Sequence, residues 1–251
     1  MGRWLFLVSV SMICTLKGVT TYYMTIRIIN NSFNYHGARA VVSSGSNIME
    51  DFFFNQDITL EGGYSYGIIS ECGGGSWYLS CLLCGLIQWD NELFSITVDG
   101  KNVTYKELSQ LGIYVNSDNE KHGQSLDRKI ARALKSGNCS KSITEIRDMF
   151  GFDNERFSRK IGHLSGQRYR AYLALGYAQG KKIFCCPYNT SQFYSAQFET
   201  SFIQAVKHIT DSSGIVLMPS SNRELMEKYA DRVIDVDYYR ELCEMKKKLS
   251  P

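Results

Sequence analysis

The sequence predicts an α/β fold with a mostly parallel sheet. Three observations carry that expectation. Short apolar runs recur along the chain and alternate with segments of helical period, as buried parallel strands and their crossover helices do. One of these runs, Tyr64 to Ser70, opens directly into a glycine loop and then an apolar helix. Between residues 117 and 162 charges become denser and the periodicity turns helical, which marks a helical insert.

The elements follow in order. Thr25 to Ile29 has the β-branched weight of a strand. Phe52-Phe53-Phe54 and Ile58 to Leu60 read as further strands, and Gly62-Gly63 as a turn. After Tyr64 to Ser70 comes the loop Glu71-Cys72-Gly73-Gly74-Gly75-Ser76, then a helix over Trp77 to Leu86. Phe94 to Val98 is a strand closed by Asp99-Gly100. A short helix over 104–110 precedes a short strand, Ile113 to Val115. The insert carries Leu126, Ile130 and Leu134, then Ile143, Ile146 and Phe150, at helical spacing. A helix runs from Leu164 to about Gln179 and stops at Gly180. Ile183 to Cys186 and Ile215 to Met218 are buried strands, separated by a helix over Phe198 to Ile209 with Phe202, Ala205, Val206 and Ile209 on one face. A helix over Arg223 to Ala230, a strand over Arg232 to Val236 and a polar, helical tail over 238–251 end the chain.

Composition bounds the function. Of 251 residues, 44% are hydrophobic and 21% charged, as in ordinary globular domains. The net charge of +3 is too small for a nucleic-acid footprint or for disorder. The eight cysteines do not form a disulfide framework: Cys185 and Cys186 are adjacent in an apolar run, and Cys81-Leu82-Leu83-Cys84 is a lone C-x-x-C in an apolar helix. Buried thiols in a reducing compartment fit better than zinc or redox chemistry. The apolar run Trp4 to Ile13, preceded by Arg3, resembles a signal segment but is too short to cross a bilayer. Residues 1–23 are read as an extension ahead of a start at Met24.

A glycine loop between a strand and a helix can cradle phosphate, because backbone N–H groups point into it and the helix N-terminus adds about half a positive charge. A P-loop reads G-x-x-x-x-G-K-[ST]. Here the window is Ser70-Glu71-Cys72-Gly73-Gly74-Gly75-Ser76-Trp77, with Ser76 in place of lysine and Trp77 in place of the magnesium-binding hydroxyl. Taken alone, such a loop is more often a turn. Trp77 and Tyr78 also bring bulk beside it.

Later motifs change that weighing. His163-Leu164-Ser165-Gly166-Gln167-Arg168-Tyr169-Arg170-Ala171 resembles the signature motif of ATP-binding cassette (ABC) proteins. Lys182 to Thr190 sits where that family has its Walker B strand, Ile215 to Ser221 where it has the strand before its switch histidine, and Tyr229 to Ile234 resembles its D-R-V-I element. The order and spacing match from Met24 to Asp237. The resemblance implies a P-loop NTPase-like cassette over 24–237, with an antiparallel β subdomain and a helical subdomain at about 117–162.

Carried over residue by residue, it also implies losses. The Walker B aspartate falls on Pro187, the water-polarising glutamate on Tyr188, the switch histidine on Ser221 and the Q-loop glutamine near Ser117. No ionisable side chain stands at the lysine, magnesium, aspartate or histidine positions, and Tyr188 is no base near neutral pH. What remains is Tyr35 as an adenine-stacking ring, the loop Gly73, Gly74, Gly75 and Ser76, and the signature Leu164, Ser165, Gly166 and Gln167, which lacks one residue of the five-residue pattern or begins at His163.

The resemblance then implies a non-catalytic cassette. ATP is held weakly or by a partner cassette, and Mg2+ is not expected on this chain. The partners are a second cassette and a separate transmembrane subunit, with the chain peripheral on the cytoplasmic face and no nucleic acid involved. Two other readings stay open: a weak ATPase using the glycine loop alone, and a soluble regulatory protein that kept the fold.

Overall fold

The computed structural model describes residues 14–16, 19–21, 23–30, 39–44, 47–52, 56–89, 94–115, 123–136, 139–188 and 200–236. Tyr35, Ser117, the apolar run Trp4 to Ile13 and the tail 238–251 lie outside them.

The chain lays down two short hairpins and two larger sheets. The hairpins are β1 (Cys14–Leu16) with β2 (Val19–Thr21) and β4 (Arg39–Ser44) with β5 (Asn47–Phe52). β3 (Thr25–Asn30), β6 (Gln56–Glu61), β8 (Phe94–Val98) and β9 (Lys101–Asn102) form an antiparallel sheet of order β6-β3-β8-β9. β7 (Ser65–Ile69), β10 (Gly112–Tyr114), β11 (Ile183–Cys185), β12 (Ile215–Ser220) and β13 (Arg232–Asp235) form a parallel sheet of order β10-β11-β12-β7-β13. The helices are α1 (Ser76–Leu83), α2 (Tyr105–Leu111), α3 (Leu126–Ser136), α4 (Ile143–Met149), α5 (Asn154–Phe157), α6 (Arg168–Ala178), α7 (Thr200–Asp211) and α8 (Arg223–Tyr229).

The parallel sheet divides the interior into two cores, and side-chain alternation along each strand assigns residues to one or the other. Tyr66, Ile68, Ile183, Cys185, Ile215 and Leu217 face α1 and the antiparallel sheet, where they meet Ile26, Ile28, Leu60, Phe94 and Leu79. Ile69, Phe184, Cys186, Val216 and Met218 face the other way, onto α6, α7 and the helices α3–α5. Both faces of each inner strand are therefore apolar, which is why these strands read as unbroken hydrophobic runs. Burying each such Ile or Leu contributes about 1.5–3 kcal/mol.

Helix ends follow local chemistry. Thr104 caps α2 and Ser142 caps α4, each accepting from the N–H three residues on while Glu107 or Glu145 reaches back. α1 is shorter than expected: it ends at Leu83, and Gly85 takes φ 62° where Leu86 turns out to 61% exposure. α6 starts four residues later than expected. Ser165 adopts φ 34°, and residues Ser165–Gln167 make a tighter 3-10 turn before the α-helix begins at Arg168.

Asp231 ties β13 to β7. Its carboxylate accepts from the Ser65 amide at 2.8 Å and from the Ser65 hydroxyl at 2.6 Å, while its own amide donates to Ser65 Oγ at 3.1 Å. Next to it the Arg232 guanidinium lies 3.7 Å from the Tyr64 ring and pairs with Glu61 at 2.8 Å. Replacing Asp231 with Ala removes two charge-assisted bonds, and urea unfolding is expected to show a loss of about 1–2 kcal/mol. At Gly67 an added Cβ would stand 2.5 Å from Met226 Cβ on α8. Gly67→Ala is expected to destabilise by about 1–3 kcal/mol through overpacking, read as a lower denaturation midpoint with an unchanged slope.

Candidate functional site

β7 ends between β12 and β13, and the chain leaves it as the loop Ser70 to Gly75. Ser70 N–H donates to the Ser220 carbonyl at 3.3 Å, and Val236 N–H to the Ile69 carbonyl at 2.9 Å, so both neighbouring strands hold the loop's root. Within the loop the Gly74 amide closes a turn onto the Glu71 carbonyl at 2.9 Å. Gly73 has φ 87° and Gly75 φ 100°, left-handed conformations that cost a side-chain-bearing residue strain. Gly75 is also the N-cap of α1. It carries no side chain to cap the helix, and no acid occupies the first turn. Gly74 and Gly75 are buried and Gly73 is half-buried; Glu71, the loop's single acid, is exposed.

The two positions after the glycines turn away from phosphate chemistry. Ser76 is 1% exposed, and its hydroxyl accepts from Ser70 Oγ at 2.6 Å. Ser76 thus closes a neutral hydroxyl pair inside the loop. Trp77 is half-buried, and its indole N–H has no acceptor. Tyr78 does not crowd the loop as expected. It is buried, stacks on Phe94 at 5.8 Å between ring centres, and burial pushes its phenol up to about 12.

The ends of β11 and β12 complete the surroundings. Cys186 N–H donates to the Leu217 carbonyl at 2.8 Å, and Pro187 and Tyr188 are half-buried just beyond. Ser220 is buried, with its hydroxyl accepting from the Asn222 amide at 3.2 Å, and Ser221 is exposed. Cys81, Cys84, Cys185 and Cys186 are buried, and burial pushes Cys186 up to about 12, so its thiol stays protonated near neutral pH.

The backbone of this loop fits a phosphate group. The side chains do not fit magnesium, which takes hard oxygen ligands in octahedral array. The indole of Trp77, the engaged hydroxyl of Ser76, Pro187 and the exposed Ser221 stand where the resemblance puts the charged and metal-binding groups. Among the described residues no group of three or more His, Cys, Asp or Glu side chains could hold a metal ion.

The signature segment stands on a different element. Leu164 is 2% exposed and belongs to the core, so its part is to anchor the turn. Ser165 and Gly166 are exposed at the entry to α6, where the Gln167 amide donates to the Leu164 carbonyl at 2.8 Å. Gln167 is half-buried, and its side-chain oxygen has no donor. One chain thus presents the glycine loop on β7–α1 and the signature on α6. Sequence reasoning missed Ser70 as the group that engages Ser76. Its place six residues ahead, at the first glycine of the P-loop pattern, was the available signal.

No protein-family model and no curated protein matches the sequence significantly. Solved structures do match. An ATP-binding cassette in a dimeric post-hydrolysis state, bound to ADP and phosphate, aligns at TM-score 0.59 and 13% identity over 84% of this chain and 94% of its own. CbiO1 from Clostridium perfringens, part of the ABC transporter complex CbiONQ, aligns at 0.59 and 14%, over 84% of each chain. A nucleotide-free cassette from an ABC transporter aligns at 0.58 and 14%, over 85% and 88%. These likenesses, together with a parallel sheet, an antiparallel sheet and helices in the expected order, show that the chain has the fold of an ABC-transporter ATP-binding cassette.

Proposed function

We propose that this chain is a non-catalytic ATP-binding cassette subunit, paired with an active cassette and a separate transmembrane subunit. In that assembly it couples the partner's ATP hydrolysis to transport from the cytoplasmic face. The cassette unit is 24–237, with a helical subdomain at about 117–162. One observation carries the reading: the loop keeps a phosphate-shaped backbone, with Gly73 and Gly75 at positive φ, while Ser76 is buried against Ser70. A lysine contact to phosphate contributes about 1.5–3 kcal/mol, so its loss leaves this loop roughly ten- to a hundredfold weaker for nucleotide.

Phosphoryl transfer depends on charge placed around the γ-phosphate. Pro187, Tyr188 and Ser221 place none where the resemblance puts the aspartate, glutamate and histidine. The chain's contribution is then structural and reciprocal. In a head-to-tail pair, Ser165 and the Gly166 N–H cap the γ-phosphate held by the partner's loop, and Tyr35 and Gly73 to Ser76 hold nucleotide loosely on this side. Similar cassettes, one solved as a dimer and one belonging to a transporter complex, support such an arrangement.

Purified chain incubated with a fluorescent ATP analogue tests the first half. Binding is expected to differ by less than about twofold between magnesium and EDTA, because no side chain here supplies a metal ligand. No phosphate should be released. Magnesium-dependent release that disappears in Gly75→Val establishes the weak-ATPase reading instead. For the second half, the complex is purified from membranes through a tag on this chain. Ser165→Ala with Gly166→Val is expected to lower the complex's ATPase rate by about tenfold or more. An unchanged rate, or the absence of any cassette and membrane chain in the purified material, overturns the pairing.

A further inference from the structure

Arg170 is the charged residue most deeply buried among the described ones, at 6% exposure. It projects from α6 toward the turn joining α4 and α5. Its guanidinium carbon lies 4.6 Å from the Phe152 ring centre. Its Nε is buried without an acceptor, and among the described residues the guanidinium has no ion pair. Burial lowers its proton affinity, and so does Arg156. Asp153, the acid that offsets them, is already engaged: it accepts from the Arg156 amide at 2.7 Å and pairs with Arg156 Nε at 3.6 Å. A buried cation held by an aromatic face and by a carboxylate already shared with Arg156 is only partly compensated, and a closer anion would stabilise it.

The way in is at Gly151. This residue is exposed, has φ 64° and ends α4. Its chain neighbours aside, a Cβ placed there would meet Arg170 Nη1 at 3.6 Å and no other heavy atom of the described residues within 4 Å. The missing side chain therefore leaves a notch open to solvent, with a guanidinium N–H at its floor. The floor offers one cation edge, since Phe152 covers a face and Nε is enclosed. That matches a single carboxylate, which bonds a guanidinium edge-on.

We infer that this notch receives the carboxylate of an Asp or Glu side chain from a polypeptide that docks against the α4–α5 turn. The partner is a protein chain carrying an acid at the tip of its contact surface. Excess positive charge in the notch, Arg170 and Arg156 against Asp153, is complementary to it. The inference is independent of what the glycine loop binds.

The acid can be supplied in cis. Gly151→Asp and Gly151→Asn both tolerate a left-handed backbone and have nearly the same shape, so their difference isolates charge. Gly151→Asp is expected to melt about 2–4 °C above Gly151→Asn. That gap is expected to vanish when Arg170→Met is added. Equal melting of the two single variants overturns the inference, and this comparison stands even where Arg170→Met does not fold. Supplied in trans, N-acetyl-glutamate N-methylamide should shift the Gly151 amide resonance of the full chain saturably. N-acetyl-glutamine N-methylamide should not, and Gly151→Asp should abolish the response. No shift with the glutamate probe, or a shift with inorganic phosphate in its absence, refutes a carboxylate-bearing protein as the occupant.

Discussion

β7 has neighbours on both edges and cores on both faces, and that enclosure sets everything the candidate site consists of. Ser65 to Ile69 pair with β12 on one side and β13 on the other. Tyr66 and Ile68 point into one core, Ile69 into the other, and Gly67 makes room for Met226. A slip of one residue would push Tyr66 against α8 and bring Gly67 to the face that needs a large side chain. The register is therefore pinned by packing, and the Asp231–Ser65 bonds pin it again at the strand's start. The loop leaves β7 at a point and in a direction that its own residues do not choose.

This separation explains how the cassette fold forms around a loop without the lysine and hydroxyl of the P-loop pattern. The loop's path is determined by two left-handed glycines, by the Glu71–Gly74 turn and by the start of α1. None of these uses the lysine or the hydroxyl that the P-loop pattern specifies. In their place the Ser70–Ser76 hydroxyl pair satisfies itself inside the loop, which avoids the cost of leaving a buried donor without a partner. The pair leaves no buried hydroxyl without a partner, and it puts a neutral group where the P-loop pattern has a lysine.

The parts legible in the sequence were those whose environment is uniform. The five parallel strands lie within a residue or two of their expected places, the inner ones because both their faces are apolar, and the glycine loop follows from its strand. What escaped depends on contacts far apart in the chain or on local backbone choices. Of the hairpin Arg39–Ser44 with Asn47–Phe52 only the end at Phe52 was foreseen, in a strand read over Phe52–Phe54 whose other two residues lie outside the described ones; Ser44-Gly45-Ser46-Asn47 is turn chemistry, but its strands mix apolar and polar residues without strict alternation. The late start of α6 rests on one positive φ at Ser165, a choice invisible to periodicity. Tyr78 looked like an obstacle to the loop because helix position alone does not say that Phe94, on another sheet, will stack on it. Asp231 and Ser65 are 166 residues apart, and no spacing rule reaches that far.

The helical insert and α6 share one core. Leu126, Ile130, Ile146, Phe150, Phe152 and Phe157 pack in the same cluster as Leu164, Tyr169 and Tyr172. Packed interiors move as units, because interdigitated side chains cannot slide without opening voids. The turn at Gly151 and the exposed pair Ser165-Gly166 are therefore parts of one body. Arg170 sits five residues after Ser165, in the first turn of the helix that follows the 3-10 turn Ser165–Gln167. A force applied at the α4–α5 turn reaches the signature through that helix and this core, with no hinge between them in the described residues. A docking contact at the α4–α5 turn would therefore bear on the same core that anchors Leu164 beside Ser165 and Gly166, whatever the glycine loop on β7 holds.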